Sequence, residues 1–309
     1  MDVGDTTPDE RTDDRSSAIA VFESHRAHLM GVAYRILGSV TDSEDVLQEA
    51  WLRWSKTDRA PVSNSEAYLT TVVGRLSLDH LRRAKSRRES YTGSWLPEPV
   101  APDPDPQRDP AAAAELADSL SMALLVVLER LSPLERAAFV LREVFERPYP
   151  EVASALGRNE AATRQLVRRA RDRVDAGHAR YQADVKVHAQ VVDRFLEACA
   201  NADVDALMEI LAPDVVIISD SGGLAQAPRR PIHGRDKVAR LLASFAPRVP
   251  KGTTFAIEYF NGAPGVVARL DSVTITTMSM SVAEGKIQSL QLVANPQKLV
   301  FMETHPELW

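Results

Sequence analysis

Apolar residues return every three to four positions through most of the N-terminal half of the chain, the period of a helix with one buried face. Val21, Phe22, Leu29, Val32, Ala33, Ile36 and Leu37 form the first such stripe, and Gly38 ends it. Thr41 or Asp42 can cap a second helix, with Asp42, Glu44 and Asp45 in its first turn, where carboxylates suit the helix dipole. Its apolar side is Val46, Leu47, Ala50, Trp51 and Trp54. Residues 57–65 (TDRAPVSNS) are loop by composition. A third helix is expected from about Ser65 to Arg88, with Tyr68, Leu69, Val72, Val73, Leu76, Leu78 and Leu81 near its buried side. Pro97, Pro99, Pro102, Pro104, Pro106 and Pro110 then exclude helix and favour extended chain. A Trp95-Leu96 pair exposed in such a linker is costly, so it is expected to dock.

Helical periodicity resumes from Ala117 to Leu131. Ser132-Pro133-Leu134-Glu135 reads as a capping box with Pro at the first helical position, opening a helix to about Phe145. Tyr149-Pro150-Glu151 opens a short helix through Leu156, Gly157 turns the chain, and a longer helix runs from about Asn159 to Ala176. From Lys186 the pattern changes. Helices at Val187–Asn201 and Val204–Leu211 precede strand-like Val215–Ser219, Thr254–Phe260, Gly265–Leu270, Val273–Ser281 and Lys286–Val293, with a helix at Asp236–Phe245 and a strand-like end at Leu299–Met302. The expected fold class is therefore multidomain: two all-α modules and a C-terminal α+β domain. The expected boundaries are a disordered acidic tail at 1–16, helical modules at 17–92 and 113–182 separated by a linker at 93–112, and the α+β domain at 186–309. No internal repeat is visible.

The 309 residues are 44% hydrophobic and 26% charged, ordinary for a globular protein that buries real cores. No apolar run approaches the roughly 20 residues needed to cross a bilayer. The N-terminus MDVGDTTPDERTDD has no apolar segment of a secretion signal, and the one cysteine, Cys199, forms no internal disulfide. These features point to the cytoplasm, with no membrane partner. The net charge of −6 looks wrong for a nucleic-acid partner but hides segregation. Arg75, Arg82, Arg83, Lys85, Arg87 and Arg88 face only Asp79 in their stretch, and Arg158, Arg164, Arg168, Arg169, Arg171 and Arg173 face only Glu160 and Asp172. Fields act within about 8 Å at physiological salt, so patches outweigh totals.

Residues 150–173 have helix-turn-helix form. Arg164, Arg168 and Arg171 share one face of the second helix, with Gln165 beside it and Thr163 near its start. In this motif that helix enters the major groove, where Arg suits guanine edges and Gln adenine edges. An Arg-rich solvated face has the same spacing; the turn and the capping box before it favour DNA. Two basic helices on an extended linker could hold two DNA sites at a limited range of spacings.

AYRILGSVTDSEDVLQEAWLRWSK (Ala33–Lys56) resembles region 2 of the extracytoplasmic-function (ECF) sigma factors of the sigma-70 family, whose signature is matched by Asp45, Gln48, Glu49, Ala50, Trp51, Leu52 and Arg53. LSPLERAAFVLREVFERPYPEVASALGRNEAATRQLVRRARDRV (Leu131–Val174) resembles their region 4. The resemblance implies a factor that binds core RNA polymerase and directs promoter-specific initiation, with no catalysis of its own. It implies that Asp45, Gln48, Glu49 and Leu52 bind the core enzyme. The loop Pro61–Ser65, through Ser63 and Asn64, would pocket a flipped base of the −10 element, and Arg75, Asp79, Arg82 and Arg83 would hold the melted strand. Thr163, Arg164, Gln165, Arg168 and Arg169 would read the −35 element.

The linker motif WLPEP (Trp95–Pro99) and the C-terminal domain resemble a subgroup of these factors with a fused SnoaL-like (NTF2-fold) domain, which regulates the sigma modules in cis. Its D-G-G-G-K and N-P-D-K elements here read Asp220-Ser221-Gly222-Gly223-Leu224 and Asn295-Pro296-Gln297-Lys298. Contact is thereby implied among Trp95, Leu96, Pro97, Asp220, Gly222, Gly223, Asn295, Pro296 and Lys298. Such cones often hold a ligand, so a small molecule of unknown identity is a candidate partner. Asp220, His233, Asp271 and Glu258 could supply acid–base groups, but no pair has a diagnostic spacing. Met278 and Met280 alternate on a strand as core or pocket lining. Cys199 sits in an apolar helix as a small hydrophobe. No metal, nucleotide or other cofactor motif is present. Two other readings stay open: a one-component regulator that binds an operator, and a small-molecule isomerase or cyclase fused to DNA-binding modules.

Overall fold

The computed structural model describes residues 8–100, 121–178 and 185–302. In chain order the helices before the sheet are α1 (Pro8–Leu37), α2 (Val40–Trp54), α3 (Ser65–Glu89), α4 (Met122–Leu128), α5 (Pro133–Phe139), α6 (Tyr149–Leu156), α7 (Glu160–His178), α8 (Val185–Ala200) and α9 (Val204–Ile210). They are followed by β1 (Leu211–Asp220), β2 (Ile232–His233), α10 (Arg235–Ala243), β3 (Thr254–Phe260), β4 (Ala263–Leu270), β5 (Val273–Ala283), β6 (Lys286–Val293) and α11 (Pro296–Leu299).

The described residues divide into two compact units. One holds the chain up to Ala84 together with Ser132–Ala170; the other holds Lys85–Leu131 and the chain from Arg171. This departs from the expected boundaries, because residues 85–92 and the described end of the 113–131 stretch join the C-terminal domain. Arg88, Tyr91 and the linker find their partners there, as detailed below. The rest of the expected linker, 101–112, and residues 113–120 of the expected second helical module lie outside the described residues.

In the first unit α1 starts at Pro8, so part of the stretch expected as a disordered tail is helical. Proline suits the first turn of a helix, where an N–H has no intrahelical partner to lose. Ser39, rather than Thr41 or Asp42, caps α2: its Oγ accepts from Asp42 N at 3.1 Å. Gly38, at φ 69°, ends α1 and leaves Ser39 extended. The helix expected from Pro133 to Phe145 is α-helical only to Phe139 and widens into a π-turn over Val140–Val144. Its capping box is present, with Ser132 and Glu135 bonding reciprocally.

Both helical modules contribute to this unit and touch directly. Arg136 Nε donates to Arg35 O at 3.1 Å, and both arginines are buried. Gly74 lets α3 approach the π-turn, since a Cβ there would stand 3.0 Å from Leu141. Phe145 meets His28 edge-on with centroids 5.1 Å apart, and Arg147 pairs with Glu66 at 3.0 Å.

In the second unit the sheet has the order β2-β1-β6-β5-β4-β3, with β1 and β6 parallel and the other neighbours antiparallel. One face packs Val215, Ile217, Val266, Met278, Met280, Leu290 and Leu292 against Val191, Val192 and Phe195 of α8 and against α9 and α10. The other face carries Ser279, Ser281, Ser289 and Gln291, which are also buried; Ser289 donates to Ser281 Oγ at 2.9 Å and Gln291 to Ser289 Oγ at 2.8 Å. Both α4 and α11 pack against β5. The expected strand at Leu299–Met302 is instead the end of α11 and a 3-10 turn. Asn295 caps that helix, accepting from Gln297 N at 3.0 Å, and Pro296 fixes its first φ, so the chain is committed to helix before the apolar run begins.

Candidate nucleic-acid interface and linker clamp

On α2, Val46, Leu47, Ala50 and Trp54 face the core, which turns Asp45, Gln48 and Leu52 outward on the opposite side. Leu52 is 56% exposed, a large apolar side chain beside a free-standing carboxylate and amide. Glu49 lies next to this stripe but is engaged by Arg53 at 2.7 Å and stands 4.0 Å from His80.

Ser63 and Asn64 are exposed in the loop before α3. Asn64 Oδ1 caps α3 by accepting from Ala67 N at 3.0 Å. Arg75, Arg82 and Arg83 are exposed along α3, with Arg82 bonded to Asp79 at 3.2 Å. Arg88 continues the basic run in sequence but is turned to a different use in the second unit, described below.

The helix-turn-helix is α6, a turn and α7. Gly157, at φ 62°, caps α6 in the left-handed region, and Arg158 N closes the turn onto Ala153 O at 2.9 Å. Asn159 starts α7, its Oδ1 accepting from Ala162 N at 2.8 Å. Arg164, Gln165, Arg168 and Arg169 are exposed on α7. Arg164 bonds Glu160 at 2.7 Å, and Arg169 Nε is 3.5 Å from Glu135. Thr163 does not join them: it is fully buried and its hydroxyl donates to Asn159 O at 2.9 Å. Its place on the helix turns it inward, so the expected base contact from Thr163 is corrected to a packing role.

In the second unit the linker lies across the ends of the strands. Leu96 to Val100 are all buried. Leu96 N donates to Asp220 Oδ2 at 2.8 Å and Leu96 O accepts from Lys298 Nζ. Four residues along the extended chain, Val100 N donates to Asn261 Oδ1 at 3.1 Å and Val100 O accepts from Asn261 N at 3.0 Å. Asn261 sits in the β3–β4 turn at φ 47°, a conformation asparagine tolerates. Pro97 and Pro99 have no N–H, so this buried stretch carries few donors that need partners. Leu96 packs with Val293 and Leu299, with Val126 of α4 and Ile218 against them.

Asp220 is the hub. Wholly buried at the end of β1, it accepts from Tyr91 OH at 2.5 Å, Leu96 N, Gly222 N at 3.1 Å and Lys298 Nζ at 2.7 Å. Asn295 Nδ2 donates to Tyr91 OH at 2.8 Å. Gly222, at φ 57°, is required twice over: a Cβ there would stand 2.6 Å from Asn295 Nδ2. Gly223 is packed against Thr92. Trp95 is half-buried, with Arg88 Cζ 3.4 Å and Lys298 Nζ 3.8 Å from its ring centroid. Arg88 also bonds Glu129 at the end of α4, at 2.6 Å. Burial holds the Lys298 ammonium below the usual lysine range, outweighing the attraction of Asp220. The Tyr91 phenol is pushed up by burial and by its bond to the Asp220 carboxylate.

The structure thus brings Trp95, Leu96, Asp220, Gly222, Asn295 and Lys298 together, with Pro97 buried beside them and Pro296 opening α11. Sequence reasoning placed Arg88 in a basic patch and missed Tyr91, Glu129, Val100 and Asn261. A tyrosine between a basic run and a docking motif, in the segment SYTGSW, was the available signal for Tyr91.

The candidate acid–base groups do not converge. His233 pairs in register with Val216, four residues from Asp220 on β1 or roughly 13 Å along the strand. Glu258 is ion-paired with Arg269, which holds its carboxyl below the usual range. Asp271 occupies a tight turn at φ 50°. Cys199 packs against the core, and burial pushes its thiol up to about 12. Among the described residues no group of three or more His, Cys, Asp or Glu is placed to hold a metal ion, and no helix is long and apolar enough to cross a membrane.

The family model for Sigma-70 region 2 matches residues 21–87, that for Sigma-70, region 4 matches residues 121–174, and that for the SnoaL-like domain matches residues 192–291. The chain is 44% identical over 292 residues to the ECF RNA polymerase sigma factor SigJ of Mycobacterium tuberculosis, spanning 91% of this chain and 92% of that protein. It is 30% identical over 285 residues to the probable ECF RNA polymerase sigma factor SigI of the same species, spanning 91% and 94%. The crystal structure of M. tuberculosis SigJ matches with a TM-score of 0.71 at 40% identity, over 91% of this chain and 97% of that one.

Proposed function

This chain belongs to the extracytoplasmic-function RNA polymerase sigma factors, and we propose that its SnoaL-like domain holds the sigma modules in a closed, non-initiating state by gripping the linker between them. As a sigma factor it serves promoter-specific initiation with core RNA polymerase. The exposed Asp45, Gln48 and Leu52, with Glu49 beside them, take the core-enzyme contact. Ser63, Asn64, Arg75, Asp79, Arg82 and Arg83 take the −10 strand, and Arg164, Gln165, Arg168 and Arg169 the −35 duplex. Catalysis has no part in this reading: Asp220, one of the candidate acid–base groups, is spent on the linker.

The observation that carries the proposal is the burial of Leu96–Val100 across the sheet, bonded at both ends. Arg88 at the end of α3 and Glu129 at the end of α4 are bonded in the same clamp, so the last helix of region 2 and the first of region 4 are drawn to one place. Arg35, in region 2, and Arg136, in region 4, are likewise in direct contact. A unit of this size spans about 35 Å. Two promoter elements about two helical turns apart lie roughly 70 Å from one another. Reading both requires the modules to part.

Transcription by core polymerase with the full chain, from a pool of templates randomised at both elements, tests this. Leu96→Glu, which places a charge in the clamp, is expected to raise transcript yield several-fold while enriching the same −35/−10 pair. Unchanged or lower yield from a folded, polymerase-binding variant would show that the clamp does not hold the factor shut.

A further inference from the structure

Arg164 is the first exposed arginine of α7, and its guanidinium is not left to wander. Glu160, one turn earlier, bonds it at 2.7 Å, and the ring of Tyr149, from the first helix of the motif, lies with its centroid 4.4 Å from Arg164 Cζ. The same ring meets a second guanidinium, Arg142, at 4.8 Å. Arg142 is itself fixed by carbonyls at the end of the π-turn, donating to Glu146 O at 3.3 Å and Arg147 O at 3.1 Å. Tyr149 stands between Pro148 and Pro150 at the start of α6, where the two proline φ angles restrict the backbone on either side of it. The ring is half-buried, while Arg164 keeps more than half of its side chain in solvent.

We propose that Tyr149 is a positioning residue for promoter selectivity: its ring presents the Arg164 guanidinium, already oriented, to a guanine edge in the −35 element. This rests on the reading of α7 as the helix that enters the major groove. Bidentate recognition of guanine O6 and N7 needs the planar fork at a defined angle. A free arginine must give up rotamer freedom on binding, whereas one held by a carboxylate and a ring face has lost much of it beforehand. The aromatic face does this without consuming the N–H groups that the base would take, which a second carboxylate would do.

The test is a selection from promoters randomised across the −35 element, using holoenzyme assembled from core polymerase and the full chain. Four proteins are compared: wild type, Arg164→Ala, Tyr149→Leu and Tyr149→Phe. Arg164→Ala should remove the preference at one base pair. Tyr149→Leu should weaken the preference at that same pair about 2- to 5-fold, the range of an exposed cation–π contact, and leave the other positions and the thermal midpoint as in wild type. Tyr149→Phe, which keeps the ring, should restore the wild-type profile. A Tyr149→Leu profile equal to wild type, or a loss spread evenly over all positions, overturns the positioning role. Loss with Tyr149→Phe overturns it too, because the hydroxyl would then be the active group. If Arg164→Ala changes no position, Arg164 is not a base reader, and the reading beneath the proposal fails instead.

Discussion

Lys298 is a cation set where water hardly reaches, 5% exposed, and the cost of placing it there is compensated only by its neighbours. Breaking a buried pair by removing one partner costs about 3–5 kcal/mol, because the other charge is stranded. Lys298→Met and Asp220→Asn are each expected to destabilise the second unit by that order in urea unfolding. The double variant should recover a large part of the loss; a double variant as unstable as the sum of the singles would mean that the two side chains act independently. Asp220 and Lys298 were reached through the resemblance, because each stands in a short element shared with the subgroup that carries the fused domain. Tyr91, 129 residues from Asp220 along the chain, was not, since only the folded sheet end brings them together. Cys199 was read as a small hydrophobe, and its raised thiol makes a plain prediction. The native protein should react with a thiol reagent at neutral pH far more slowly than urea-unfolded chain, and equal rates would place the sulfur at the surface.

At the level of elements, the seam between α1, α3 and the π-turn contains His28, whose ring bonds Thr70 Oγ1 at 3.2 Å and meets Phe145 edge-on. Glu66, Arg147, His25 and Arg35 also act on it, but burial is the largest influence and lowers its pKa from 6.5. The folded unit therefore binds fewer protons than the unfolded chain below that value. His28 contributes its stability in full above about pH 6.5 and loses it as the pH falls. Thermal unfolding of His28→Gln should depend less steeply on pH below about 6.5 than that of wild type; identical slopes would assign the dependence to other groups. Most helices were legible because their apolar period is set by one buried face. The π-turn was not, because its wider winding answers to packing against His28 and α3. The cover over the polar side of β5 and β6 was not legible either: Met-Ser alternation marks one apolar face, yet Ser279, Ser281, Ser289 and Gln291 on the other are also buried. Thr163 was misplaced because a position on a recognition helix was taken without its rotation.

On the scale of the whole molecule, the division of labour follows the linker rather than the matched families. Region 4 matches from residue 121, yet α4 belongs to the unit of the SnoaL-like domain. A closed factor should therefore open when the clamp is broken. With fluorophores on α2 and α7, Asp220→Asn is expected to lower energy transfer in the free protein, and transfer equal to wild type would show that the modules stay packed without the clamp. Trp95 reports the same event: its emission should shift to the red in Leu96→Glu, with the other tryptophans replaced by Phe. The order of the modules was readable from composition and motifs alone. Where the compact units divide was not, since that depends on which surfaces the linker segment can satisfy.

The segment lying across the strand ends is covalently joined to the chain on both sides. For a tethered ligand the local concentration is of millimolar order. A free peptide copying residues 95–100 would have to approach that level merely to share the groove. A messenger that displaces the strand at micromolar amounts therefore has to bind the groove about a thousandfold more tightly than the untethered peptide would. Under the proposed closed state, a weaker effector has a second route, loosening the hub around Asp220 so that the tethered strand lets go by itself.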